Sequence, residues 1–406
     1  MAGPLSHIKV LDLSRVMAGP WAGQLLADMG ADVIKVERPG AGDDTRGWGP
    51  PFLKDNDGKD TRESGYYLSV NRGKRSLTLS IEKPEGQAIV KELAKRSDIL
   101  LENFKLGTLQ RYGLGYDDLK AINPRLIYCS ITGFGQDGPY APKVAYDFLI
   151  QAMGGLMSIT GEADGRPGGG PQKVGIPILD LMTGMYGAVS VLAALANREQ
   201  TGRGDFIDLA MLDVQTAVLS NQAMNYLLSG RTPQRQGNRH PNIMPQDVFQ
   251  CADGPVVLAV GNDGQYAKMC QALKRPELAT DPRYAKNADR VRNKDELMPL
   301  IAQIFATWKR APLVEAMEQA GVPCGPINTV LEVFADTQVK ARGMKFDLPH
   351  PQSGSVPQVK NPINFTDAAI EYDSAPPLLG QHSEEILHEL GMNDAEIAKL
   401  RSNGVV

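Results

Sequence analysis

The first third of the chain alternates short β-rich apolar runs with longer stretches whose apolar residues recur at helical spacing. Residues 8–13 form the first run. Residues 19–29 follow with Trp21, Leu25 and Leu26 on a helical repeat, and 32–36 read as a strand again. Residues 76–81 alternate apolar and polar. Residues 84–96 form an amphipathic helix with Pro84 at its start, and 98–102 and 126–132 are two further strands. Such β-α-β alternation predicts a parallel sheet with helices on both faces. Ligands collect beyond the carboxyl ends of the strands in such sheets. The segments after Leu13, Val36, Leu101 and Ile131 are therefore where a site is expected.

The pattern changes further on. Residues 179–198 are apolar and rich in small side chains, which predicts a largely buried helix ending at Gly202. A strand over 205–212 and a helix to 228 follow. Residues 229–245 are rich in Gly, Pro, Asn and Arg and read as a linker. Beyond them come a hairpin over 247–260, turning at Ala252-Asp253-Gly254, and three helices near 264–274, 293–307 and 311–320, a smaller α+β unit. A helix over 330–342, two short strands and two helices at 383–391 and 393–402 complete the chain.

Composition narrows the function classes. A chain of 406 residues exceeds one ordinary core, so more than one domain is expected. A net charge of −4 argues against a nucleic-acid binder held by bulk charge, but leaves room for a local basic site. The four cysteines, none spaced as CxxC, and the five histidines suggest neither a metal site nor a disulfide framework. The amino terminus lacks a basic region followed by an apolar run, and no uninterrupted apolar stretch reaches the ~20 residues of a membrane span. A cytoplasmic enzyme is the expectation.

Four places carry candidate chemistry. Ala18-Gly19-Pro20 follows the first strand, where a glycine lets backbone approach a diphosphate at a helix amino terminus; a plain strand-to-helix turn reads the same. Arg38 lies past the second strand, free to pair with phosphate, stack on a purine or form a surface ion pair. Glu102-Asn103-Phe104, with Arg111 one or two helical turns later, offers an amide, an aromatic ring and a guanidinium. Lys143 adds a loop cation. Together they suit a nucleotide-like ligand with a pantetheine arm, without a P-loop. Asp180, in Lys173-Val174-Gly175-Ile176-Pro177-Ile178-Leu179-Asp180, sits where the apolar helix begins. A carboxylate there is a helix cap, an ion-pair partner or a reacting group.

These blocks resemble the class III CoA-transferases, the CaiB/BaiF family. The likeness runs through residues 10–20, 26–40, Asn71-Arg72-Gly73-Lys74-Arg75-Ser76, Glu102-Asn103-Phe104, Ile131-Thr132-Gly133-Phe134-Gly135-Gln136-Asp137-Gly138-Pro139, the Asp180 segment, Thr201-Gly202-Arg203-Gly204 and Pro377-Leu378-Leu379-Gly380-Gln381-His382. The resemblance implies an α/β fold: a Rossmann-like large domain from both chain ends (1–228 and 326–406), a small α+β domain inserted at 229–325, and two subunits threaded into an interlocked, obligate homodimer. It implies acyl-CoA as a substrate, with no tightly bound cofactor and no membrane or nucleic-acid partner. Asp180 becomes the nucleophile, kept anionic by the helix dipole. Val16, Arg38, Asn103, Phe104, Arg111 and Lys143 take CoA-contact roles.

Within that family, racemases carry Gly-His-Asp where this chain has Ala145-Tyr146-Asp147, and their second acid corresponds roughly to Asp263. Tyrosine is a poor substitute for a histidine base, which favours transfer over racemisation. The blocks around Trp48, Tyr66 and Ile127 resemble the succinyl-CoA:glutarate transferases more than the formyl-CoA:oxalate transferases. Met17 and Tyr146 are placed near the acyl group. Arg46, Arg72, Arg75, Arg166, Arg239 and His240 are candidates for a second substrate carboxylate, with Arg72 and His240 first. Gly168-Gly169-Gly170 and Gly261-Asn262-Asp263-Gly264-Gln265 are candidate oxyanion donors.

Overall fold

Strands buried on both faces are built from nearly continuous apolar residues, and the middle of the central sheet follows that rule, while its edge at Lys74–Thr78 is mostly polar. The computed structural model describes residues 3–370 and 372–406. Six strands make the sheet: β1 (Lys9–Asp12), β2 (Asp32–Glu37), β3 (Lys74–Thr78), β4 (Ile99–Glu102), β5 (Ile127–Thr132) and β6 (Phe206–Ala210). Their spatial order is β3-β2-β1-β4-β5-β6, and every pair is parallel. Val10, Ile99, Leu101, Ile127, Cys129 and Ile131 point into one core. Leu11, Leu100 and Tyr128, the alternate positions, point into the other.

Helices cover both faces. On the first, α1 (Ala18–Asp28) contributes Ala18, Ala22, Leu26 and Ala27. On the second, α2 (Pro84–Arg96) contributes Ile89, Val90 and Leu93, joined by Ile386, Leu387, Ile397 and Val405 from the end of the chain. Pro84 lies in the first turn of α2, where its missing N–H costs no helical bond. Three further helices matter below: α3 (Asp147–Met153), α4 (Ile178–Thr201) and α5 (Met211–Val218).

The expectation that α4 is largely buried needs correction. Leu179, Thr183, Gly184, Gly187, Ala188, Val191 and Ala194 are buried, a single face. That face packs on α1 through small residues: a Cβ added at Gly184 would lie 2.5 Å from the Ala18 carbonyl oxygen. The opposite face leaves Met185 (48%), Tyr186 (43%) and Val189 (63%) exposed. Among the described residues α4 is also the one helix long and apolar enough, by length and composition, to cross a membrane.

The chain divides into two compact units. One comprises 1–156, 174–224 and 338–406; the other 157–173 and 225–337. The second unit thus takes in 157–173 and runs on to Thr337, past the 229–325 expected. It holds a three-stranded antiparallel sheet of β7 (Gln246–Cys251), β8 (Gly254–Ala259) and β9 (Cys324–Pro326), in the order β9-β8-β7. The hairpin turns at the predicted position. Its own core includes Phe249, Val256, Leu258, Tyr266, Met269, Leu297, Ile301 and Phe305. All four cysteines are free thiols.

Candidate active site

The strand order reverses between β1 and β4, which opens a crevice beyond their carboxyl ends. Two loops meet there, after Asp12 and after Glu102, and one amide joins them. Asn103 Oδ1 accepts the Arg15 N–H at 2.8 Å, and Asn103 Nδ2 donates to the Arg15 carbonyl at 2.7 Å. The neighbouring Phe104 ring lies 5.3 Å from the Arg15 guanidinium carbon, within cation–π range.

Buried charge holds the first loop from beneath. Asp12 pairs with Lys74 at 2.9 Å, and Lys35 pairs with Asp43 at 2.9 Å; all four side chains are fully buried. Lys35 Nζ also donates to the Ser14 carbonyl at 2.8 Å, and the Val16 N–H faces the Asp43 carboxylate at 3.2 Å. Burial pushes the Asp12 and Asp43 carboxyls up, but their lysines and hydrogen bonds outweigh it and hold both below the usual carboxylate range. Burial lowers Lys74, against the pull of Asp12, to about 8. Val16 emerges in the left-handed region at φ 69°, a strained conformation for a β-branched residue.

Two cavities open on this crevice. The larger, of 590 Å3, is lined by Arg15, Arg38, Phe104, Lys105, Arg111 and Tyr112. The smaller, of 200 Å3, is lined by Arg15, Val16, Met17, Asn103, Phe104, Lys105, Lys143, Tyr146 and Asp180. Arg15, Phe104 and Lys105 border both. Cations and an aromatic ring at the wide end suit phosphate and base, while the narrow end leads to a carboxylate. Arg38 and Arg15 both grip Asp44, at 3.0 and 3.3 Å. The Lys143 ammonium stands 3.7 Å from the centre of the Tyr140 ring.

Asp180 lies in the first turn of α4, whose N-cap position is Pro177. It is therefore not the helix cap. Burial and the nearby Asp147 carboxylate push its carboxyl up to about 7, with no cation offsetting them among the described residues. The expected anion held by the helix dipole is corrected accordingly: at neutral pH Asp180 is divided between acid and carboxylate.

The structure brings Val16, Met17, Asn103, Phe104, Lys143, Tyr146 and Asp180 to one cavity, and Arg38 and Arg111 to its neighbour. It does not bring Arg72 there. Arg72 is buried, held by Asp28 at 2.8 and 2.9 Å and by Gln358 at 3.0 Å, so it has no face for substrate. Arg46 is locked between Glu37 and Glu63, and Arg75 among Asp32, Glu385 and Glu389. Trp48 borders neither cavity and packs edge-on against Tyr66. His240 belongs to the second unit, where its Nδ1 accepts the N–H groups of Asn242 and Ile243 and closes a local turn.

Some of the oxyanion donors expected in that unit are occupied. The Gly261 N–H donates to Gln265 Oε1 at 2.8 Å, and the Gly169 and Gly170 N–H groups donate to Arg166 and Glu162 carbonyls. Asp263 is held below its usual range, chiefly by the hydrogen bond from Arg290 at 2.8 Å. Arg15, Lys105 and Asp147 are the site residues that sequence reading passed over. Arg15 stood inside the block 10–20, and its position past a strand end was the available signal.

A doubly wound sheet with a cationic crevice beside an unpaired carboxylate suits a phosphate-bearing ligand that carries a reactive group. Comparison with known proteins narrows this. Residues 5–383 match the model of CoA-transferase family III, and the chain belongs to that family: it is a CoA-transferase. It is 50% identical over 387 residues, 95% of this chain and 96% of the relative, to the succinate–glutarate CoA-transferase of Agrobacterium fabrum. It is 43% identical over 404 residues to the human succinyl-CoA:glutarate CoA-transferase, covering 99% of this chain and 90% of that one. The crystal structure of a CaiB/BaiF family protein from Brucella suis superposes with a TM-score of 0.84 at 49% identity, covering 96% of this chain and all of the other.

Proposed function

We propose that this enzyme moves CoA from succinyl-CoA, or a similar acyl-CoA, to a small dicarboxylic acid, with Asp180 as the covalent carrier. The observation that carries the reading is the unpaired Asp180 carboxylate in a cavity that is also lined by Arg15, Lys105, Lys143 and Phe104. The names of the glutarate-using relatives support the dicarboxylate.

The steps follow from the chemistry of a carboxylate meeting a thioester. An Asp180 carboxylate oxygen attacks the donor carbonyl, the C–S bond breaks, and a mixed anhydride and CoA thiolate form. The thiolate attacks the aspartyl carbonyl of the anhydride, releasing the donor acid and leaving an aspartyl–CoA thioester. The acceptor carboxylate then attacks that thioester and expels the thiolate. Thiolate attack on the acceptor's carbonyl yields the new acyl-CoA and free Asp180. No net proton is consumed. Arg15, Arg38, Lys105, Arg111 and Lys143 are positioned to bind the charged end of CoA, and Phe104 to stack on it. Tyr146 and Met17, beside Asp180, face the acyl group.

Racemisation is the weaker reading, because Asp263, the residue that would serve as its acid, is engaged by Arg290 and the Asn287 N–H. Met185, Tyr186 and Val189, exposed along one face of α4, support assembly as a homodimer with residues 157–173 and 225–337 as an inserted domain. Sedimentation at falling concentration tests the assembly. For the carrier, enzyme incubated with succinyl-CoA is treated with hydroxylamine and digested. A hydroxamate on the peptide carrying Asp180 is expected, and an unmodified Asp180 during full turnover overturns the reading.

A further inference from the structure

The amino terminus of α4 is served by a side chain from a different helix. The first N–H groups of any helix lack intrahelical acceptors, and Pro177 supplies none. Asp147, the first residue of α3, fills that place. Its Oδ1 accepts the Leu179 N–H at 2.7 Å and faces the Asp180 N–H at 3.3 Å. Its Oδ2 accepts from Gln151 Nε2 at 2.5 Å, and Gln151 Oε1 in turn accepts the Val174 N–H at 3.0 Å. Three backbone N–H groups between 174 and 180 thus end on one carboxylate and one amide, both on α3. Gln151 is fully buried, and Asp147 is 9% exposed.

A cap serving stability alone works as well with Ser, Thr or Asn. Here it is a second carboxylate beside an unpaired one, an arrangement that opposes ionisation of Asp180. Lys143 and Tyr146, which line the cavity with Asp180, immediately precede Asp147 in the chain. The same residue therefore ties the acyl-side loop to the segment that bears the nucleophile.

We propose that Asp147 is a positioning residue for Asp180: it anchors the backbone of residues 179 and 180 from α3 and so sets the line along which the Asp180 carboxylate meets the thioester. This rests on Asp180 being the covalent carrier. A carboxylate displaced by a fraction of an ångström loses attack geometry without losing acyl-CoA affinity. The negative charge of Asp147 has a separate effect, since it raises the pH at which Asp180 becomes nucleophilic. The other ionisable groups lining that cavity are Arg15, Asp44, Lys105, Lys143 and Tyr146, all unchanged by substitutions at 147.

The test compares Asp147→Ala and Asp147→Asn in the full chain, measuring kcat, KM for succinyl-CoA, pH profile and Tm with glutarate as acceptor. Asp147→Ala is expected to lower kcat by about 100-fold, with KM within about twofold of the parent. Asp147→Asn keeps an oxygen acceptor and loses the charge. It is expected to recover most of kcat and to move the acid limb of the profile to lower pH. A parental kcat and an unmoved limb in both variants overturn the proposal, as does a loss in which kcat and Tm fall together in Asp147→Asn with no move of the limb. If Asp147→Ala does not fold, Asp147→Glu takes its place: it keeps the charge but shifts the acceptor, and a parental kcat in it overturns the proposal. Asp180→Ala separates the two readings: full turnover in that variant overturns the carrier itself, while an inactive Asp180→Ala beside indifferent Asp147 variants overturns only the positioning role.

Discussion

Two sets of carboxylates lie within the same α/β unit; burial pushes both up, and their neighbours leave them on opposite sides of the usual range. Asp12 and Asp43, beneath the loop that follows β1, each face a lysine and stay below the usual range. Asp180, at the start of α4, faces only another carboxylate and is pushed up to about 7. Both sets are charges taken out of water. The paired set spends that cost on fixing Ser14 and Val16 beside the crevice; the unpaired one has no such use, and it is the residue proposed as the carrier. On that proposal pairing marks scaffold, and its absence marks chemistry.

The sharpest way to break the contrast is to remove each kind in turn. Asp180→Ala is expected to lower the rate of CoA transfer by at least about 10⁴-fold, because no other group in the cavity takes over a covalent carrier's role. Its fold should survive, as circular dichroism would check. Lys35→Met should do the reverse. It strands Asp43 without its partner and is expected to cost about 3–5 kcal/mol of stability by urea unfolding, since breaking a buried pair leaves an uncompensated charge. A Lys35→Met variant with parental stability would remove the reason to call the paired set scaffold.

The pH dependence follows from the same contrast. Donor-dependent turnover should rise as pH passes about 7, the value for Asp180, because only the carboxylate attacks. Stability runs the other way. A carboxyl raised in the folded state favours folding fully below its ordinary value, and that contribution is lost as pH rises through about 7. Asp180→Asn should therefore be more thermostable than the parent at pH 8, with a margin that shrinks on acidification and closes only in the ordinary carboxylate range, as paired melts would show. The paired acids have the opposite sign: their contribution is present at neutral pH and lost on acidification.

The fold was readable because the chain states it locally. Most strands of the sheet are apolar-rich runs, the edge strand Lys74–Thr78 with Leu77 as its one apolar residue being the exception, and helical spacing marks what lies between. Much of the cavity was readable too, since a doubly wound sheet puts ligands past its strand ends and Asn103, Phe104 and Arg38 stand there. What failed needed partners distant in the chain. Arg72 looked like a free cation, but Asp28 holds it from 44 positions earlier, and Gln358 from 286 later. Asp147 carries no periodic signal; it matters because folding sets it against α4, 33 residues on. The exposure of Met185, Tyr186 and Val189 was hidden for a related reason, as a small-residue helix looks the same whether one face or all of it is covered.

Arg15 gives a middle-sized prediction. It borders both cavities, and Asp44 and Phe104 orient its guanidinium. Arg15→Ala should raise KM for acyl-CoA about tenfold while leaving kcat within about threefold, the pattern of a group that binds ground state and transition state alike. A fall in kcat with KM unchanged would move Arg15 from binding to chemistry, and would blur the line between the two ends of the crevice.

The smallest effect is expected at Val16, where the paired charges meet the cavity. Its φ of 69° costs a β-branched residue about 1–3 kcal/mol, and the Lys35–Asp43 pair holds the loop against that strain. Val16→Gly removes the strain but adds the chain entropy that glycine loses on folding, about 0.5–1 kcal/mol. The net change in unfolding free energy should therefore lie between no gain and a gain of about 2.5 kcal/mol. Val16→Ala keeps the left-handed backbone and gains no such relief. If the strain serves binding by presenting the loop to the ligand, Val16→Gly will be the more stable protein and the weaker binder of acyl-CoA, by a few-fold in KM. If Val16→Gly gains stability and binds as before, the paired charges hold a strained loop that binding does not use, and their role ends at supporting the strand.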